Sequence, residues 1–154
     1  MLVISNDPDA ADWIEDAEVA GDVLPGRASL IGIHAALLHA ATDVVVVAWD
    51  MPFVPATLLE ALRRRLHGSV GAVIPTGAHG LEPACAAYAA GALPHIERRV
   101  KTGELKLADL ADAIPTVDRM AASDVARFGD PDVVFLNVNH PDDLARAEAI
   151  ARAL

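Results

Sequence analysis

Lysine is nearly absent. Lys101 and Lys106 are the only two in 154 residues, so the first hundred positions hold none. With 22 acidic residues against 12 Lys and Arg, the formal net charge is −10. That balance argues against nucleic acid or an anionic membrane surface as a main partner. A small phosphorylated ligand stays open, because a divalent cation, backbone N–H groups and helix N-termini can hold one without net positive charge. Aromatics are scarce too, at 4% against 53% apolar residues. The core is therefore expected to be aliphatic, as in helix-covered sheets. Cys85 is the sole cysteine, which excludes an internal disulfide and fits a reducing cytoplasm. No apolar run reaches the roughly 18 residues needed to span a bilayer. No basic leader precedes an apolar segment, so no secretion signal is read and a cytoplasmic location is expected.

What the chain does have is a valine strand with a carboxylate at its end. Val44-Val45-Val46-Val47-Ala48-Trp49 is unbroken, and Asp50-Met51-Pro52 stops it. A run without alternation predicts a strand buried on both faces, in the middle of a parallel sheet. Ligands of such sheets bind at the carboxyl ends of strands. Asp50 is thus a candidate metal-holding carboxylate, or else a residue that caps the helix after Pro55 or tightens a turn.

The rest of the chain alternates similarly. Leu2–Ser5 predicts a short strand, and Asn6-Asp7-Pro8-Asp9 a helix start running to about Asp16. After a loop from Gly21 to Arg27, the spacing of Leu30, Ile33, Leu37, Leu38 and Ala41 predicts an amphipathic helix. Thr57–His67 predicts a second helix, its Arg63-Arg64-Arg65 read as a solvated end that suits the helix dipole. Val70–Pro75 predicts a strand and Glu82–Tyr88 an extended segment. Ala90–Lys101 and Leu105–Ala113 predict helices, Pro115–Arg119 and Val133–Leu136 strands, and the residues after Pro141 a last helix with Leu144, Ala147, Ala151 and Leu154 on one face. The whole of 1–154 reads as one domain of α/β class with a parallel sheet.

Several chemistries drop out early. His34 and His39 are five apart and do not share a helix face. No cysteine pair exists for structural zinc, and no Gly-x-Ser-x-Gly elbow is present. Cys85 lies among small apolar residues and is expected to be a buried, inert thiol. The remaining candidates are loops expected at one sheet edge: Asn6, Asp22, Asp50, Glu82, and the Asn137-x-Asn139 pair. Each has an ordinary reading as well, such as an Asx turn for Asn6 or a helix start for Asn137 and Asn139.

Taken in order, the segments Val3–Asn6, Asp22–Leu37, Val44–Pro55, Glu82–Tyr88 and Asn137–Leu144 resemble the molybdenum cofactor guanylyltransferase (MobA) family and its MobA-like NTP transferase relatives. Asp50-Met51-Pro52-Phe53 and Asn137-Val138-Asn139-His140-Pro141 carry the resemblance most specifically. It implies a Rossmann-like three-layer α/β sandwich with a mostly parallel sheet. It implies transfer of GMP from GTP to the molybdopterin phosphate, with release of pyrophosphate. Asp50 would ligate Mg²⁺ and serve catalysis, Asn6 and Asp22 with Asp50 would bind the nucleotide, and Asn137, Asn139 and Glu82 would lie on the molybdopterin side.

The chain departs from the family pattern at two places. Ala28-Ser29 stands where the family's loop carries Gly-Pro, although Leu30-x-Gly32 is kept. The family's opening strand and Gly-rich loop, with its lysine and arginine, has no counterpart here. The domain is therefore expected to be N-terminally shortened, with the loop encoded upstream of Met1, and to leave sheet edges open that favour self-association into a homo-oligomer. The alternatives are a non-catalytic nucleotide- or metal-binding module, or a related enzyme using CTP or another acceptor.

Overall fold

In the computed structural model every residue is described except Pro25, Arg27 and Leu154. The predicted Pro25 turn, the Arg27 end of the loop and the Leu154 position of the last helix lie outside the described residues. The chain opens with β1 (Leu2–Ile4), paired in parallel with β2 (Glu18–Ala20). Helix α1 (Ser29–Ala40) follows, burying Leu30, Ile31, Ile33 and Leu37. It stops at Ala41, which is left-handed at φ 51° and donates its N–H to the Leu37 carbonyl. Then come β3 (Val44–Val47) and α2 (Ala56–Arg65), which buries Leu58 and Leu62.

Strand β4 (Ala72–Gly77) turns into the short β5 (Gly80–Leu81) and is followed by β6 (Cys85–Tyr88). A 3-10 turn at Ala90–Ala92 leads into α3 (Leu93–Thr102). Gly103, at φ 77°, ends that helix in the left-handed region glycine tolerates. The remainder is α4 (Leu110–Ala113), β7 (Val117–Met120), α5 (Ala122–Val125), α6 (Pro131–Val134) and α7 (Pro141–Ala151).

The main sheet runs β3-β6-β4, with β7 parallel to β4 on its far side and β5 as a hairpin. Strand β6 is antiparallel to both neighbours, so β3, β4 and β7 run one way and β6 the other. The sheet is therefore mixed, and the α/β sandwich expected from the sequence is present. Alternation divides its core in two. Ile74, Ala86 and Tyr88 pack with Leu30, Ile33 and Leu37 of α1 and Ile96 of α3. Val73, Cys85 and Ala87 pack with Leu58 and Leu62 of α2 and Val125 of α5. Full burial of each such aliphatic side chain stabilises by roughly 1.5–3 kcal/mol.

The valine strand differs from expectation. Val44–Val46 are only partly buried, and Val47 is 42% exposed. The cause is position: among the described residues β3 pairs with β6 alone. Helix α1 packs on both β1 and β3, yet no hydrogen-bonded pairing joins those strands among the described residues, and the two sheets stay separate. The open edges expected from the sequence are thus found between β1 and β3.

Other differences are local. Instead of a helix to Asp16 there is one 3-10 turn at Ala10–Asp12, then Asp16 at φ 60° and the unexpected β2. A three-residue strand shows no periodicity and exists only through its partner. Val133–Leu136 is not a strand. Pro131 and the Asp130 carboxylate, which accepts from Asp132 N–H, start the helical turn α6 instead. A short apolar run cannot tell a strand from a buried helical turn. Leu105–Ala113 forms a 3-10 turn at Leu107–Asp109 and then α4. On α7, Ala147 is buried but Leu144 is 51% exposed. The arginine triplet is not wholly solvated, since Arg65 makes a bidentate pair with Asp118 at 2.7 and 2.9 Å and reaches Asp124 at 3.0 Å. No helix among the described residues is long and apolar enough to cross a membrane.

Candidate functional site

Asp50 sits in a tight turn at the carboxyl end of β3. Ala48 N–H donates to Ala84 O at 2.9 Å, and Met51 N–H closes the turn onto Ala48 O at 3.2 Å. The Asp50 carbonyl accepts from Val138 N–H at 2.9 Å. That bond brings the Asn137-x-Asn139 loop against the turn. Backbone bonds on both sides fix Asp50, and its carboxylate enters none of the hydrogen bonds or ion pairs among the described residues. It is half-buried and free to bind.

The loop itself is built by the start of α7. The Asp143 carboxylate accepts from Asn139 N–H at 3.1 Å and His140 N–H at 2.9 Å. These two bonds hold its carboxyl below the ordinary 3.8. Pro141 occupies the first turn, where its missing N–H costs nothing. Asn137 donates to Phe135 O at 3.3 Å and is half-buried, whereas Asn139 is exposed.

Glu82 lies at the same edge, because β6 runs opposite to β3 and β4 and its N-terminal end falls beside their carboxyl ends. A Cβ on Gly77 would come 2.5 Å from Glu82 Oε1 and 3.0 Å from Phe135 Cδ2. Gly77 therefore makes room for the Glu82 carboxyl beside the residue that anchors Asn137. Burial pushes the Glu82 carboxyl above the ordinary 4.5, and the charge of His79 opposes it. His79 lies in the Gly/His loop Thr76–Gly80, to which the sequence assigns no role. Its signal is a histidine placed just before Gly80, whose φ of 129° makes the tight β4–β5 turn.

Asn6 and Asp22 form the second group, each two residues beyond the end of its strand, β1 or β2. Asn6 Nδ2 donates to Asp22 Oδ2 at 2.8 Å, and Asp22 N–H donates to Asn6 Oδ1 at 2.9 Å. Gly21 permits this, since a Cβ there would approach Asn6 Oδ1 to 3.0 Å. Asn6 gives one N–H and one oxygen lone pair to Asp22 and keeps its second N–H, while Asp22 Oδ1 keeps its acceptor capacity. No hydrogen bond joins this pair to the Asp50 group among the described residues. Cys85 is fully buried, and burial pushes its thiol up to about 12, so it is inert as expected.

No group of three or more His, Cys, Asp and Glu able to hold a metal is found among the described residues. One carboxylate such as that of Asp50 would suffice only for a hard cation that takes most of its oxygen ligands from phosphates and water.

Comparison with known proteins identifies the family. Residues 1–118 match the model of the MobA-like NTP transferase domain. The molybdenum cofactor guanylyltransferase of Desulfosudis oleivorans is 31% identical over 156 residues, covering 99% of this chain and 75% of that protein. The probable molybdenum cofactor guanylyltransferase of Pelotomaculum thermopropionicum is 34% identical, covering 86% of this chain and 64% of its own length. The crystal structure of molybdopterin-guanine dinucleotide biosynthesis protein A from Archaeoglobus fulgidus superposes with a TM-score of 0.85 at 32% identity, covering 99% of this chain and 79% of that one. The chain belongs to the MobA-like NTP transferase domain family, a family of nucleotidyltransferases, with molybdenum cofactor guanylyltransferases among its relatives.

Proposed function

We propose that this protein transfers GMP from GTP to the terminal phosphate of molybdopterin in molybdenum cofactor biosynthesis, releasing pyrophosphate. A phosphate oxygen of the acceptor forms the new bond to the α-phosphorus as the bond to the β-phosphate oxygen breaks. The observation that carries the reading is the Asp50 carboxylate, unpaired among the described residues, on a backbone whose carbonyl is held by Val138 N–H at the carboxyl edge of β3. Asp50 would hold Mg²⁺, which supplies charge neutralisation at the α-phosphate and pyrophosphate oxygens.

The chain's own residues do the positioning. Asn6 holds Asp22 so that Oδ1 is presented to the donor groups of guanine, its N1–H and 2-amine. Asn137 and Asn139 lie on the acceptor side, next to Asp50, with the Glu82 carboxyl behind them. Much of the rate in such a reaction comes from orientation and fixed charge rather than covalent catalysis. A cytoplasmic location accords with the reduced, buried Cys85.

The test is pyrophosphate release with GTP–Mg²⁺ and molybdopterin, against CTP as the competing nucleotide. Asp50→Ala should lose at least a thousandfold in turnover, roughly 4 kcal/mol in barrier, while keeping its circular dichroism spectrum. Normal turnover in that variant would refute the metal assignment. The open edges between β1 and β3 favour a second reading, a module that binds GTP–Mg²⁺ without transferring it. Calorimetry showing binding with no pyrophosphate release would support that reading, and robust release would exclude it.

A further inference from the structure

Tyr88 ends β6 wholly buried, and its hydroxyl donates to the Pro83 carbonyl at 2.6 Å. A buried tyrosine hydroxyl ordinarily finds a partner. This one has taken a carbonyl inside a turn at the candidate site. Glu82-Pro83-Ala84-Cys85 is a β-turn closed by Cys85 N–H on Glu82 O at 3.0 Å. Pro83, at its second position, presets the φ such a turn requires. The turn directs its three carbonyls to three different places. Glu82 O closes the turn, Pro83 O accepts from Tyr88, and Ala84 O accepts from Ala48 N–H at 2.9 Å. Glu82 N–H donates to Pro75 O of β4 at 2.8 Å. The Pro83–Ala84 peptide is the one whose rotation separates the two common turn forms. Ala84 is not in the left-handed region that the second form requires. Pro83 is buried, and among the described residues the Tyr88 hydroxyl is the only donor to its carbonyl. These bonds lie on the β6 side of β3, away from its unpaired edge.

We propose that Tyr88 is a positioning residue for the transfer reaction: through the Pro83 carbonyl it sets the turn that carries Glu82 and, through Ala84, holds the Asp50 turn in place. This rests on the functional reading above, which puts Asp50 at the cation and Glu82 on the acceptor side. Tyr88 itself touches no reacting atom. Its ring packs in the cluster of Leu30, Ile33, Leu37 and Ile96, so the hydroxyl ties the edge of the site to the core under α1 and α3. Burial pushes that hydroxyl further above its usual range, which keeps it a donor at every working pH. Removing the oxygen alone keeps the ring and its packing but leaves a buried carbonyl without a donor. The Pro83–Ala84 peptide is then free to rotate, and Ala84 O is loosened from Ala48 N–H. Asp50 would spend less time where the cation needs it, and a displacement of about 1 Å can cost a reaction of this kind roughly a hundredfold. Asn6 and Asp22 follow β1 and β2 in the other sheet, so the guanine end should be indifferent to the change.

The experiment compares Tyr88→Phe with Ile96→Val, a core change in the same cluster with no bond to the turn. Amide hydrogen exchange is followed by NMR, and pyrophosphate release with GTP–Mg²⁺ and molybdopterin is measured at several pH values. Tyr88→Phe should speed exchange at Ala48 and Cys85 roughly tenfold, the scale of one hydrogen bond, and leave the amides of α3 unchanged. Its kcat should fall roughly tenfold and the Mg²⁺ needed for half-maximal rate should rise, with the KM for GTP within about twofold of the parent. The loss should be the same at each pH, because the missing group does not titrate there. Ile96→Val should lower the melting temperature and produce neither effect. Faster exchange with parental kcat overturns the positioning role and leaves the functional reading standing. Unchanged exchange at Ala48 and Cys85 overturns the role whatever the turnover. An equal fall of kcat in both variants marks a general loss of stability and also overturns it. A parent protein that neither binds GTP–Mg²⁺ nor releases pyrophosphate overturns the functional reading and the role together.

Discussion

Val138 N–H donates to the Asp50 carbonyl at 2.9 Å, so the turn after β3 and the loop before α7 form one piece. The far end of that loop hangs on the Asp143 carboxylate, through Asn139 N–H and His140 N–H. Asp143→Ala should free both donors, loosen Asn139 and lower the melting temperature. In steady-state assays the KM for molybdopterin should rise more than kcat falls, with the KM for GTP little changed. The pH sign follows from the lowered carboxyl: its stabilisation is present above 3.8 and is lost as pH falls through the folded value. The variant should therefore lose that part of the acid dependence of melting.

Asn6 and Asp22 should behave as a unit. Asp22→Asn keeps the shape but replaces an acceptor-only group, and it should raise the KM for GTP roughly tenfold, the scale of one polar contact. Asn6→Ala should give an effect of the same kind, because its part is to orient Asp22. The double variant should cost clearly less than the two single effects added. A coupling of about 0.5 kcal/mol or more in this cycle would mark the pair as interacting in the nucleotide complex.

Glu82 predicts a pH dependence of the opposite sense to Asp143. Its folded carboxyl is raised above 4.5 by burial, so the fold favours the protonated form. Stability should fall as pH rises from 4.5 through the folded value, then level off. Glu82→Gln keeps the volume beside Gly77 and removes the ionisation. Urea unfolding across this window should show the variant gaining on the parent as pH rises. Parallel curves would mean that Glu82 ionises without cost.

His34 is a test far from the candidate site. It is 3% exposed on α1, Nδ1 has no partner among the described residues, and it lies near Glu97 and Lys101 of α3. Burial lowers its pKa below 6.5, while Glu97 raises it and Lys101 lowers it further. Acidification must therefore charge a buried ring. Stability is complete above 6.5 and should drop as pH falls from there through the folded value. His34→Leu should flatten that part of the profile and add about 1 kcal/mol near neutral pH, by removing an unsatisfied buried group. Chemical denaturation at several pH values checks both.

Much of the frame was legible in the order of residues. The valine run, the Leu58/Leu62 spacing and Pro141 with Asp143 each carry local chemistry strong enough to specify a strand, a helix face or a helix start. Where local signal was thin, tertiary partners decided. Glu18–Ala20 is a strand because β1 lies beside it, and Val133–Val134 sits in a helical turn because Asp130 and Pro131 start one there. The candidate site divides in the same way. Residue type alone marked Asp50, Asn6, Asp22, Glu82, Asn137 and Asn139 only weakly; their order and the resemblance of the motifs around them made them candidates.

Residue order alone determined that this is an acidic, lysine-poor α/β chain with Asp50 at the end of a valine strand, because periodicity and composition are properties of neighbours in sequence. The fold alone decided which strand lies at an edge, that Asn6 faces Asp22, and that Val138 grips the Asp50 turn. It also decided that the Tyr88 hydroxyl reaches the Pro83 carbonyl. Those facts depend on hydrogen bonds and packing between segments distant in sequence, whose energies exist only once β6 has threaded between β3 and β4.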